Sequence, residues 1–310
     1  MIASIRRRAK NGRGIIQGIG DDCAVLRIPF GHQALVTTDF SLEGVHFRRQ
    51  WHSPESVGHR CLTRGLSDIA AMGGYPIAVF VSLAVPRHLS QSWVNSFADG
   101  LIKLAEEFGV TLAGGDTAQS PAGIFADVMV LGSVPKRKAI LRSGAHPGDK
   151  IYVSGKLGGS AATLALLMKK PRRKLLLHKF AAHFFPEPRI HVGQFLRKKQ
   201  LASAMIDISD GLSTDLAHIC EESGTGAEIH AEAIPLATIN EQFVDLPSAL
   251  HGGEDYELLF TSNQRIPNRI AGIPITQIGE ITRDKRILLI NKKGIRTKLK
   301  AKGWEHFKRK

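Results

Sequence analysis

The chain alternates short apolar runs with amphipathic stretches. Residues 34–38 (ALVTT) are apolar and β-branched and predict a strand leading into Asp39. Ser53-Pro54 then opens a stretch in which Val57, Cys61 or Leu62, Leu66, Ile69 and Met72 recur at helical spacing, until Gly73-Gly74 stops it. Residues 78–85 (AVFVSLAV) have the near-continuous apolar pattern of a largely buried strand. Trp93, Phe97, Leu101, Leu104 and Phe108 form the stripe of a second helix ending at Gly109, and residues 123–134 supply another strand. Stripes of this kind read as core.

Charge, Pro and Gly cluster in residues 135–148 (PKRKAILRSGAHPG), which predicts a boundary between an N-terminal domain, 1–136, and a C-terminal domain, 137–310. Beyond it, strands are expected at 150–154, 205–209, 227–231, 256–261, 275–282 and 287–290. Helices are expected at 161–170, 189–199 and 212–222. The whole reads as two α/β units.

Composition narrows the class. The 310 residues are 43% hydrophobic and 23% charged, with 31 Gly and 14 Pro, as in a folded α/β protein. No apolar run is long enough to span a bilayer, and the basic N-terminus lacks the apolar core of a secretory signal. Cys23, Cys61 and Cys220 are odd in number, widely spaced and without a CxxC pair, so reduced thiols and a cytoplasmic setting are expected. The net charge of +14 admits a nucleic-acid partner or a general basic bias. Its clusters lack the interleaved aromatics of a single-strand binding surface, which disfavours the former.

The usual nucleotide and nucleophile signatures are missing: there is no GxxxxGK[ST], GxGxxG, HExxH or GxSxG. The chain offers aspartates instead, beside Gly, Ser or Thr, at Gly20-Asp21-Asp22, Thr37-Thr38-Asp39, Ser67-Asp68, Gly114-Gly115-Asp116-Thr117, Asp207-Ile208-Ser209-Asp210-Gly211 and Gly252-Gly253-Glu254-Asp255. Each alone reads as a turn or cap residue. Several follow strand-like runs, however, and ligands in open α/β folds collect beyond strand carboxyl ends. Converging carboxylates call for a divalent cation, and magnesium held by oxygen ligands would in turn bind nucleotide phosphates. Arg142 reads equally as a phosphate partner or a solvated linker charge.

These segments, with His46-Phe47 after Asp39, Leu66-Ser67-Asp68-Ile69-Ala70-Ala71-Met72-Gly73, His251-Gly252-Gly253-Glu254-Asp255-Tyr256-Glu257-Leu258 and Lys302-Gly303-Trp304-Glu305-His306-Phe307, resemble the thiamine-monophosphate kinase family in order and over nearly the whole chain. His251 stands where that family more often has Ser. The resemblance implies the two-domain PurM-like fold of aminoimidazole ribonucleotide synthetase, with an N-terminal domain that dimerises through a β-barrel and a C-terminal α/β domain. It implies a homodimer using ATP and several magnesium ions to convert thiamine monophosphate to thiamine diphosphate by direct transfer. Position by position, Asp22, Thr37, Thr38, Asp39, Asp68, Asp116, Asp207 and Asp210 resemble magnesium ligands, Thr37 through its carbonyl. Gly115, Asp116, Arg142 and Ser209 resemble nucleotide contacts, and His46, Glu254 and Trp304 resemble groups that hold thiamine monophosphate. On its own, His46 reads as a loop or core histidine. Selenophosphate synthetase, on the same fold, needs a reactive cysteine, whereas Cys23 reads as a small buried side chain.

Overall fold

The computed structural model describes residues 12, 14–19, 23–169 and 176–304. They divide after Lys138 into two compact units, with Ala70–Gly73 grouped in the second. Asp22, and the tail residues Glu305, His306 and Phe307, lie outside the described residues.

In the first unit, β1 (Ile15–Gln17) and β2 (Val25–Leu26) form a small ribbon. A four-stranded sheet follows from β3 (His32–Leu42), β4 (Tyr75–Pro86), β5 (Thr111–Ser120) and β6 (Phe125–Pro135), in the order β3-β6-β4-β5. Only β4 and β5 are parallel, joined through helix α2 (Gln91–Glu107). Helix α1 (Pro54–Ala71) begins where the Ser53 hydroxyl accepts the Ser56 N–H, and α2 where Ser90 accepts the Trp93 N–H. Both are ordinary N-caps. Val57, Cys61, Leu62, Leu66 and Ile69 of α1 are buried, as their spacing predicts. The two helices touch through glycines: a Cβ on Gly58 would meet the Phe97 carbonyl at 1.9 Å, and one on Gly100 the Glu55 carbonyl at 2.0 Å.

Strand β3 alternates as a half-covered strand should. Leu35 and Ser41 are buried, while Ala34, Val36, Thr38 and Phe40 are exposed. Phe40 (64% exposed), Val36 (60%) and Phe125 (44%) leave an apolar stripe on the uncovered face.

The second unit holds β7 (Lys150–Ser154), α3 (Gly159–Lys169), α4 (Ala181–Phe184), α5 (Ile190–Lys199), β8 (Ala204–Ile208), α6 (Leu212–Ser223) and β9 (Gly226–His230). The ribbon β10 (Thr238–Ile239) and β11 (Gln242–Phe243), α7 (Leu246–His251), β12 (Glu257–Ser262), β13 (Arg269–Ile270), β14 (Ile273–Thr282), β15 (Ile287–Ile290) and β16 (Arg296–Lys298) complete it. The main sheet runs β16-β15-β9-β14-β7-β12-β8, with β13 paired to β14. Its core gathers Ile151, Val153, Ile206, Ile208 and Leu259 from the strands with Leu212, Leu216 and Ile219 from α6. Among the described residues no helix is long and apolar enough to cross a membrane.

Candidate active site

Strand alternation and one helix packing build the first carboxylate group. On β3, Thr37 and Asp39 fall on the face that α1 covers. Gly65 lets α1 lie close: a Cβ there would come within 2.5 Å of Val130 and 3.5 Å of Thr37. Asp68, one turn further along α1, then reaches β3, and the Thr37 hydroxyl donates to it. Burial pushes the Asp39 carboxyl up to about 7, Asp68 and Asp127 push it the same way, and Arg64 opposes them. Oδ2 of Asp39 is buried without a hydrogen-bond partner among the described residues. The pleat sends the exposed Thr38 side chain to the opposite face.

Asp39, Val128, Val81 and Gly115 lie in one row across the sheet. Gly115 is therefore three strand spacings, roughly 14 Å, from Asp39. It has φ +149°, and a Cβ there would strike the Val81 carbonyl at 2.0 Å, so only glycine fits. Asp116 beside it is exposed and accepts the Thr117 N–H at 2.7 Å. This edge opens on a cavity of about 470 Å³, lined mainly by apolar groups that include Phe80, Leu83, Phe97, Ala98 and Leu101. Cys23, expected to be buried, is exposed and lines the same cavity. His46 follows β3; its Nδ1 accepts the Leu42 N–H at 3.0 Å, which leaves the ring proton on Nε2.

The second unit builds a separate acidic group at the end of β8. Asp207 is buried in the strand, Ser209 and Asp210 form the turn beyond it, and Gly211 with φ +115° starts α6. Asp215, in the first turn of α6, reaches back to accept the Gly211 and Asp210 N–H groups at 3.0 and 3.3 Å. Burial raises its carboxyl to about 8, and Asp207 and Asp210 add to the rise. The Ser209 carbonyl accepts the Glu254 N–H at 2.8 Å. The tail docks on the same turn: Gly303 N–H donates to Thr214 Oγ1 at 3.0 Å and Trp304 N–H to the Asp210 carbonyl at 3.2 Å. A Cβ on Gly303 would stand 2.1 Å from that carbonyl, which explains the glycine before Trp304. Trp304 itself is 53% exposed.

The structure thus gathers Thr37, Asp39 and Asp68 in one unit and Asp207, Ser209, Asp210, Glu254 and Trp304 around one turn of the other. Gly115 and Asp116 stand on the far edge strand from Asp39. Arg142 is exposed beside the start of β8, where the Leu141 carbonyl accepts the Met205 N–H. That is the opposite end of the strand from Ser209, roughly 13 Å along it. The expectation that the aspartates collect beyond strand carboxyl ends is corrected: Asp39 and Asp116 lie inside long strands and Asp68 within a helix, and Asp210 alone of the four follows a strand. Among the described residues no three acidic, His or Cys side chains are grouped so as to hold a metal ion by themselves. Sequence reading missed Arg64 and Asp215. Their signals were an arginine four residues before Asp68 on one helix face, and an acid reaching back to the helix start from its first turn.

The domain family described as "AIR synthase related protein, N-terminal domain" matches residues 20–134, and "AIR synthase related protein, C-terminal domain" matches residues 146–266. The thiamine-monophosphate kinase of Salmonella typhimurium is 37% identical over 326 residues, covering 99% of this chain and 97% of that one. The crystal structure of thiamine-monophosphate kinase from Stenotrophomonas maltophilia aligns with a TM-score of 0.82 at 33% identity, over 93% of this chain and 94% of that one. AaThiL complexed with AMPPCP and TMP aligns with a TM-score of 0.79 at 33% identity, over 91% and 89%.

Proposed function

Because the chain belongs to the thiamine-monophosphate kinase family, we propose that it transfers the γ-phosphoryl group of ATP directly and in line to the phosphate of thiamine monophosphate, giving ADP and thiamine diphosphate. AaThiL complexed with AMPPCP and TMP supports an ATP analogue and TMP as the ligand pair. The acceptor phosphate is already an anionic nucleophile, so neither a general base nor a covalent intermediate is required. The chain has instead to hold two polyanions in line and offset their charge.

The observation that carries this reading is the buried, unpartnered Oδ2 of Asp39 beside Asp68. A carboxylate held there at neutral pH needs a cation, and its hard oxygens suit magnesium. Asp39, Asp68 and Thr37 would hold magnesium from the first unit, with Asp22, Thr38 and Asp116 assigned by resemblance, and Asp207 and Asp210 from the second. Bound there, magnesium supplies the positive charge that neutralises the β- and γ-phosphate oxygens. The apolar cavity beside Gly115 and Asp116 suits the nucleotide base, and Arg142 and Ser209 are the remaining nucleotide contacts. His46, Glu254 and Trp304 hold the thiamine monophosphate, His46 through its Nε2–H. Val36, Phe40 and Phe125 on the open sheet face suit a second copy of the chain and a barrel-type homodimer. The free thiols fit a cytoplasmic enzyme.

The test is purified protein with ATP, magnesium and thiamine monophosphate, chromatographed for products. Equal amounts of ADP and thiamine diphosphate are expected, with loss of both in EDTA and no product from thiamine as acceptor. ADP released without thiamine diphosphate would overturn the assignment.

A further inference from the structure

One motif residue carries no role in the reaction as proposed. Asp255 lies in the loop between α7 and β12, next to Glu254. Its two neighbours, Glu254 (φ +66°) and Tyr256 (φ +52°), both occupy the left-handed region that residues with a side chain enter at a cost. Neither is a glycine, although glycines stand at 252 and 253. Something must therefore hold this zigzag in place.

Two backbone bonds fix it from one side. Glu254 N–H donates to the Ser209 carbonyl at 2.8 Å, and Tyr256 N–H donates to the Ile208 carbonyl at 2.9 Å. Between them, the Asp255 side chain turns the other way. Its Oδ2 accepts the Gly158 N–H at 2.6 Å and its Oδ1 the Ser160 N–H at 3.3 Å, at the start of α3. Those amides also present the positive end of the helix to the carboxylate. The surrounding loops leave no slack. A Cβ on Gly253 would stand 2.5 Å from the Ser209 carbonyl, and one on Gly158 would stand 2.8 Å from Ala249 N. Asp255 thus ties the loop that bears Glu254, whose backbone is bonded to the turn that bears Ser209 and Asp210, to the start of α3.

We propose that Asp255 is a positioning residue: its carboxylate, anchored on the Gly158 and Ser160 amides, holds Glu254 in the left-handed conformation that aims it at the acceptor substrate. The proposal rests on the kinase reading and gives a function to the strained backbone at Glu254 and Tyr256. A neutral amide at 255 can accept only through its one oxygen and turns a donor toward the second N–H, so one anchor is lost while the volume is kept.

The experiment compares wild type, Asp255→Asn, Glu254→Gln and the double variant, with KM measured separately for thiamine monophosphate and ATP, alongside thermal midpoints. Asp255→Asn is expected to raise the acceptor KM about tenfold, with the ATP KM within about twofold, the size that misaiming one contact produces. In the Glu254→Gln background the same change is expected to add little, because the two act as one unit. Additive effects, an equal rise in both KM values, or a lowered midpoint with an unchanged acceptor KM would overturn the assignment. Should Asp255→Asn fail to fold, Asp255→Glu, which keeps the charge but lengthens the arm, is read by the same criteria. Wild-type protein without turnover refutes the kinase reading and this assignment with it. Wild-type turnover with unaltered Asp255→Asn constants refutes this assignment alone.

Discussion

Replacing Asp39 with Asn should make the metal-free protein more stable at alkaline pH and far less active. The Asp39 carboxyl is raised from 3.8 to about 7, chiefly by burial and then by Asp68. The folded state therefore binds its proton more tightly than the unfolded chain does. A raised carboxyl of this kind makes stability fall as pH climbs from the unfolded value to the folded one. From about pH 5 to pH 7 the folded carboxyl stays largely protonated while the unfolded one is ionised, so about 2 pH units at 1.4 kcal/mol each give about 3 kcal/mol. Asn at this position does not titrate, so the wild type should lose about 3 kcal/mol more than Asp39→Asn between about pH 5 and pH 8. At roughly 2–4 °C per kcal/mol, the difference in thermal midpoints should change by about 6–12 °C across that range, in EDTA. Magnesium with nucleotide should reverse the order at pH 8 by binding the wild-type carboxylate. In the kinase assay, kcat should fall by about two to three orders of magnitude, the size expected when a charge stabilising the transition state is removed. Parallel pH–midpoint curves for wild type and Asp39→Asn, or an unreduced kcat, would refute the reasoning.

Other changes follow from the same geometry. Asp215→Asn removes a carboxyl raised to about 8, so its metal-free midpoint should gain on the wild type from about pH 5 up to about pH 8, checked by the same scan. Arg189→Ala should cost about 3–5 kcal/mol, measured by urea unfolding, because Glu257 would remain buried without its Arg189 partner at 2.6 and 2.7 Å. Ala98→Trp, which fills part of the 470 Å³ cavity, should raise the KM for ATP and leave that for thiamine monophosphate unchanged. Phe40→Lys on the open sheet face should shift the molecule toward monomer in sedimentation.

The elements with strong periodicity were readable. Helix α1 buries Val57, Leu62, Leu66 and Ile69 as their spacing demands, and β12, β14 and β15 start and stop within about two residues of their predicted ends. What escaped lacks such a pattern. Strand β16 is Arg296-Thr297-Lys298, all exposed at a sheet edge, where charge is the ordinary device against further pairing. Helix α7 is six residues long and depends on an Asp245 cap and Pro247 rather than on an apolar stripe. The site was legible as a set of acidic residue types and not as an arrangement. Whether Asp39 points toward α1 or away from it is decided by strand register, and Asp68 reaches β3 because Gly65 lets the helix approach. Neither fact is visible in a motif. Cys23 shows the same limit, since it reads as a small buried side chain and its place on the cavity rim exposes it.

The two acidic groups share a thermodynamic signature. Asp39 in the first unit and Asp215 in the second are both raised to near or above neutrality, each with burial first and neighbouring carboxylates next. A fold selected for stability alone would replace such groups with apolar or amide side chains of similar size. Retaining Asp39 in the first unit, and in the second both Asp215 and Asp255, which burial raises to about 7, means each unit is destabilised, without cations, in the pH range where carboxylates are needed ionised. A cation that binds only the ionised, folded form then restores stability by mass action, and does so more strongly as pH rises. Two independent units bearing the same cost argue that the cost belongs to ligand binding rather than to a packing accident. The same logic extends to Glu254 and Tyr256, whose strained backbone is held by Asp255 beside the second group. Stability is given up in carboxylate charge at one place and in backbone conformation at the next, and both lie on or beside motifs the sequence marks.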